Sequence, residues 1–153
     1  MKTIKATLIV VFVAFLASMQ MHAQSSTTSK KSTGTETTKF CSYISEFALQ
    51  FPVFYLAGEK GINEFNNNLK KVIAKYEKSN EKLTSKSRED LVSAYGAMAE
   101  SLFFCTLPLK GIDPNTAKGK TVLKEEVRKQ KAKYKKYANQ STTLGQFIKK
   151  VQI

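Results

Sequence analysis

FCSYISEFALQFPVFY, residues 40–55, is the stretch that decides the fold. Phe40, Tyr43, Ile44, Phe47 and Phe51 recur at steps of three and four, which places them on one face of a helix. Pro52 removes a backbone donor and crowds the preceding turn, so the helix is expected to stop or kink there. A short turn, 53–57, then runs to Gly58 and Gly61, which suit a helix stop. The segment predicts a core-forming helix over 39–51. The same aromatics admit a second use, as the lining of an apolar-ligand site built from Phe47, Phe51, Phe54 and Tyr55.

The helical period continues outward from this segment. Ile62, Phe65, Leu69, Val72, Ile73 and Tyr76 predict a second amphipathic helix over about 62–79. A polar connector, 79–86, follows. Ser87 with Asp90 three residues on resembles a capping box and opens a third helix over about 88–106, through Leu91, Tyr95, Met98, Leu102 and Cys105. Pro108, Gly111, Pro114 and Gly119 mark residues 109–119 as a loop.

Leu123, Val127, Gln130, Tyr134, Tyr137, Ser141, Leu144, Ile148 and Val151 then fall on alternating steps of four and three, a heptad register weakened at Gln130 and Ser141. Asn139, Ser141, Thr142, Thr143 and Gly145 favour a break. The expectation is a long helix over about 120–138 and a short one over about 142–151, capped by Ser141 or Thr142; one curved helix is the alternative. No alternation is long enough for a sheet. The chain reads as all-α, a compact non-ideal array of four to five helices.

Residues 1–23 read as a secretory signal peptide. Lys2 and Lys5 form a basic start, and residues 6–17 (ATLIVVFVAFLA) form an apolar run too short for a membrane span of about 20 residues. A more polar stretch ends at Ala23, so cleavage is expected at Ala23/Gln24, although Met21 is large for its position. The alternative is an uncleaved anchor. Residues 24–38 (QSSTTSKKSTGTETT) have no apolar side chain and read as a disordered Ser/Thr-rich tether. The organisation expected is leader 1–23, tether 24–38 and a single helical domain 39–153. After cleavage no transmembrane helix is expected, and the destination is the periplasm or the exterior.

The leader also filters the chemistry. The single histidine, His22, lies inside it, so the mature chain lacks histidine. Ser-His-Asp and Cys-His catalysis and histidine-ligated metals are therefore excluded. No glycine-rich phosphate loop, haem motif or clustered metal ligands occur, and no cofactor, metal or catalytic residue is expected. A carboxylate enzyme is the residual alternative, with Glu46 and Glu100 on apolar-rich helices as its candidates. Asn139-Gln140-Ser141 matches a glycosylation sequon, relevant only to a eukaryotic secretory route.

Export also gives meaning to two cysteines. An oxidising compartment and an even count predict one bridge, Cys41–Cys105, the alternative being two buried thiols. Cys41 opens the first helix and Cys105 closes the third. A bridge between them is incompatible with straight antiparallel helices, so it would demand a break at Pro52 or crossed packing.

The mature chain carries 23 basic residues against 12 acids. Residues 116–153 hold eleven of the basic residues and only Glu125 and Glu126 as acids, so the excess is concentrated there. Lys124, Arg128, Lys131 and Lys135 share one helix face, with Lys129, Lys133 and Lys136 beside it; Glu125 is placed to pair with Lys129. The expected function is that of an exported, non-enzymatic helical module. It contacts an anionic protein, glycan or membrane surface through this basic helix, residues 118–136. Export and the lack of a base-reading motif argue against nucleic acid. Leu144, Phe147, Ile148 and Val151 form an amphipathic end that suits docking on the core or lying in a membrane interface.

Overall fold

Helix α1, Glu36–Leu56, continues through Pro52. The computed structural model describes residues 35–152; the leader, and the tether up to Gly34, lie outside the described residues. Proline costs a helix one internal hydrogen bond, and packing can outweigh that loss. Pro52 is fully buried beside Phe51, so residues 53–56 continue the helix instead of forming a separate turn. The start is also earlier than expected. Thr35 accepts a hydrogen bond from the Thr38 amide, and the helix opens at Glu36 with Thr37 buried.

The chain reverses at one residue. Ala57 separates α1 from α2, Gly58–Tyr76, and Gly58 adopts φ +71°, which glycine alone adopts at no steric cost. Gly61 is no stop. It sits in the first turn of α2, where an added Cβ would lie 2.1 Å from the Phe54 carbonyl oxygen. This close approach folds α2 back along α1. Phe65 then packs against Phe47, Phe51 and Phe54, with ring centroids 5.5, 5.0 and 5.7 Å away, while Tyr76 meets Phe40 at 5.5 Å.

Helix α3, Ser85–Thr106, is capped three residues earlier than predicted. Thr84 accepts from the Ser87 amide and Ser87 returns a bond to the Thr84 amide, so Ser87 is the inner partner of the box. A 3₁₀ turn, Leu107–Lys110, ends at Gly111 with φ +73°, and α4, Ala117–Asn139, begins after the Thr116 cap. The two C-terminal helices are separate: α5, Leu144–Val151, opens on Thr143.

The helices alternate in direction and lie side by side in the order α2, α1, α3, α4. Helices α1 and α3 therefore run parallel at the centre. Phe40 near the start of α1 meets Tyr95 at 6.2 Å, whereas Tyr55 near its end lies by Cys105. Tyr134 of α4 returns to Tyr95 at 5.3 Å. With its 3₁₀ extension, α3 is long and apolar enough to cross a membrane. Here that apolarity serves the core, since Leu91, Ala94, Met98, Ala99 and Phe104 are buried between its neighbours.

Helix α5 closes one end of this row. Leu144, Phe147 and Ile148 are 0% exposed, and Phe147 meets Tyr95 edge-on at 5.4 Å, so the C-terminal apolar face docks on the core. The connector is stitched to it by Leu83 N to Thr142 O (2.9 Å), Leu144 N to Glu81 O (3.0 Å) and Gly145 N to Ser79 O (3.0 Å). Glu81 also accepts from the Thr37 amide at 3.0 Å, and Glu36 accepts from the Ser79 hydroxyl. The first of these bonds satisfies the Thr37 amide, which the start of α1 would otherwise leave open.

The parallel course of α1 and α3 overturns the predicted Cys41–Cys105 bridge. Cys41 lies beside Asp90 at the start of α3, and Cys105 lies at its end, about 20 Å away at ~1.5 Å per residue. A disulfide needs Cα atoms within about 7 Å. Both cysteines are buried free thiols.

Candidate anion-binding groove

Helix α4 is amphipathic along its whole length. Leu123, Val127 and Ala138 are buried and Tyr134 and Tyr137 half-buried, so the lysines between them point to solvent. The predicted basic residues then divide into three groups. Arg128 makes a two-pronged contact with Glu125, at 2.9 and 2.7 Å, and Lys129 holds Glu126 at 3.0 Å. These pairs, three residues apart, replace the expected Glu125–Lys129 pair. The Arg128 guanidinium holds the Glu125 carboxyl below its ordinary pKa.

Lys133 forms the second group alone, placing its ammonium 5.6 Å from the Tyr137 ring centroid. Lys124, Lys131, Lys135 and Lys136 form the third. They are exposed, and among the described residues no carboxylate lies within ion-pair distance of them. Their charge is available to a partner.

Two of these four line a groove of about 610 Å³ between α3 and α4. Its walls are Ser85, Arg88, Glu89, Val92 and Ser93 from α3 and Lys131, Lys135, Ala138 and Asn139 from α4. Three cations thus face one carboxylate, Glu89, across a floor that includes Val92 and Ala138. The volume suits a small organic ligand.

Local packing fixes both walls. The Arg88 guanidinium donates to three backbone carbonyls: Ala138 at 3.0 Å, Leu83 at 2.9 Å and Ser141 at 2.9 Å. It ties α3 to the end of α4 and to the connector, and its charge offsets the negative end of the α4 dipole. Two of its five N–H donors remain. Opposite, the Lys131 stem crosses α3 at Gly96, where an added Cβ would come within 2.3 Å of Lys131 Cε. A side chain there would push the stem away.

The other candidates are placed differently. Phe47 and Phe51 are buried and Phe54 and Tyr55 half-buried; the first three close on Phe65, which occupies the space between them. Glu46 is exposed and accepts from Gln50 at 3.0 Å, while Glu100 is half-buried on α3. Asp90 pairs with Lys86 at 2.8 Å. Burial pushes the Cys41 and Cys105 thiols up to about 12, helped at Cys41 by the Asp90 and Glu81 charges, which keeps both protonated and unreactive near neutrality. Among the described residues no group of His, Cys, Asp and Glu is arranged to hold a metal ion.

Sequence reasoning found Lys131 and Lys135 but missed Arg88, Ser85, Glu89, Ser93 and Asn139. One signal was present. Gly96 sits inside an otherwise regular helical run, SAYGAMAE (93–100), where glycine costs about 1 kcal/mol against alanine and marks a close approach. Comparison with protein-family models, curated proteins and solved structures finds no match.

Proposed function

We propose that this protein is an exported, non-enzymatic helical module that binds the anionic surface of the cell envelope through α4. Export is assigned to the leader, residues 1–23, which ends at Ala23 and delivers the chain to the periplasm or beyond. The observation that carries the binding is the set of four lysines on α4, Lys124, Lys131, Lys135 and Lys136, that no carboxylate neutralises among the described residues. Each such cation near an acidic membrane surface contributes about 1 kcal/mol, less as salt rises. Together they support reversible, salt-sensitive attachment rather than insertion.

The rest of the fold suits this role. Helix α5 buries its apolar face in the core, so that face is not offered to a membrane. The test is sedimentation with phosphatidylglycerol-containing vesicles. Binding is expected at low salt and absent on pure phosphatidylcholine. Changing Lys124, Lys131, Lys135 and Lys136 together to Gln should abolish it; retained binding by that variant would reduce the basic face to a solvated surface.

A further inference from the structure

The groove between α3 and α4 has a more specific chemistry than the face that surrounds it. Lys131, Lys135 and Arg88 line it and offer positive charge to an oxyanion. Glu89 offers only acceptors, which a bare phosphate dianion cannot satisfy and a hydroxyl can. Ser85, Ser93 and Asn139 both donate and accept, as a polyol requires. Val92 and the lysine stems supply apolar contact for a short carbon backbone. At about 610 Å³ the groove leaves room beside a phosphate for a carbon skeleton.

We infer that this groove is a seat for a phosphorylated polyol: the phosphate lies between Lys131, Lys135 and Arg88, and the hydroxyls face Glu89, Ser85, Ser93 and Asn139. The inference rests on the anion-binding reading of α4 and gives it a defined subsite. Such a group has two sources, a glycerophosphate lipid headgroup and a free polyol phosphate. Gly96 belongs to the seat as a positioning residue, because it lets the Lys131 stem cross α3.

The probe is glycerol 3-phosphate, titrated into the ¹⁵N-labelled chain and followed by amide chemical shifts. Saturable shifts at Ser85, Glu89, Ser93 and Asn139 are expected, with neither glycerol nor inorganic phosphate reproducing them. The K131Q/K135Q variant should bind about tenfold or more weakly. Gly96→Ala should weaken binding with every charge in place, while K70Q/K71Q, which removes equal charge from α2, should bind as the parent does. Thermal melts establish that each variant is folded.

Equal binding of inorganic phosphate overturns the polyol assignment, and unchanged binding by Gly96→Ala overturns the groove. Vesicle attachment without any glycerol 3-phosphate binding sinks this inference and leaves the α4 reading standing; loss of both sinks both. Competition from phosphatidylglycerol vesicles identifies the headgroup as the source, and saturable binding without competition identifies the free compound.

Discussion

Arg88 shows how one side chain serves two purposes. Three carbonyls from separate segments, Leu83, Ala138 and Ser141, depend on it, and it also forms one wall of the groove. Charge-assisted bonds of this kind contribute about 1.5–3 kcal/mol each but do not add. Arg88→Ala should therefore lower stability in urea by about 3 kcal/mol; a loss below about 1 kcal/mol would show the carbonyls re-paired with water. Gly96→Ala should do the opposite. Its Cβ meets the movable end of Lys131, and helix propensity favours alanine by up to about 1 kcal/mol, so the melting temperature should hold or rise. The cysteines give a third test at this scale. Because Cys41 and Cys105 stay protonated to about 12 when folded, against an ordinary 9.0, the unfolded chain releases its protons first. The thiols' contribution to stability should be flat well below pH 9 and fall as pH rises through it, since the native state binds more protons there. Ellman's reagent at pH 8 should find no thiol in the native protein and both after unfolding, and reductant should leave the melting curve unchanged.

Helix boundaries follow neighbours as much as local residues. Pro52 is a breaker by its own chemistry, and it fails to break α1 because it is buried in the same interface as Phe51 and the chain has a better reversal point at Gly58. The apolar spacing of α1, α2, α3 and α4 was legible in the sequence because each helix buries one face. The caps were less so: Thr84 and Thr143 compete with adjacent hydroxyl residues, and only the tertiary pairing of Leu83 with Thr142 selects between them. The α5 docking is the element-scale test. Gly145 lies where a Cβ would stand 2.6 Å from the Glu77 carbonyl oxygen and 2.8 Å from that of Ser79, both backbone atoms that cannot step aside. Gly145→Ala should destabilise by about 2 kcal/mol through forced displacement of α5. Phe147→Ala should cost about 3–5 kcal/mol by emptying a fully buried site. Amide exchange along α5 should accelerate in both.

At the scale of the whole molecule, the alternation of helix direction defeated the disulfide once Pro52 failed to break α1. The row α2, α1, α3, α4 puts α1 and α3 parallel, so the cysteines occupy opposite ends of the central pair. Cysteine count and compartment carry no information about that ordering. The basic helix was legible because charge excess is a property of composition. The groove was not, because its α3 wall of Ser85, Arg88, Glu89 and Ser93 lies about forty residues away in sequence and is brought to α4 by tertiary contacts, among them Tyr95 with Tyr134, Gly96 with Lys131 and Arg88 with the Ala138 carbonyl. What unites the fold and the function is that α4 buries its apolar stripe and leaves Lys124, Lys131, Lys135 and Lys136 unneutralised among the described residues. The most direct test of that claim is a salt titration of binding to phosphatidylglycerol vesicles, comparing the parent chain with the variant carrying Gln at Lys124, Lys131, Lys135 and Lys136. The parent should bind at low salt and release as salt rises, and the variant should not bind at any salt; equal binding of the two, or binding indifferent to salt, would contradict an attachment through these lysines.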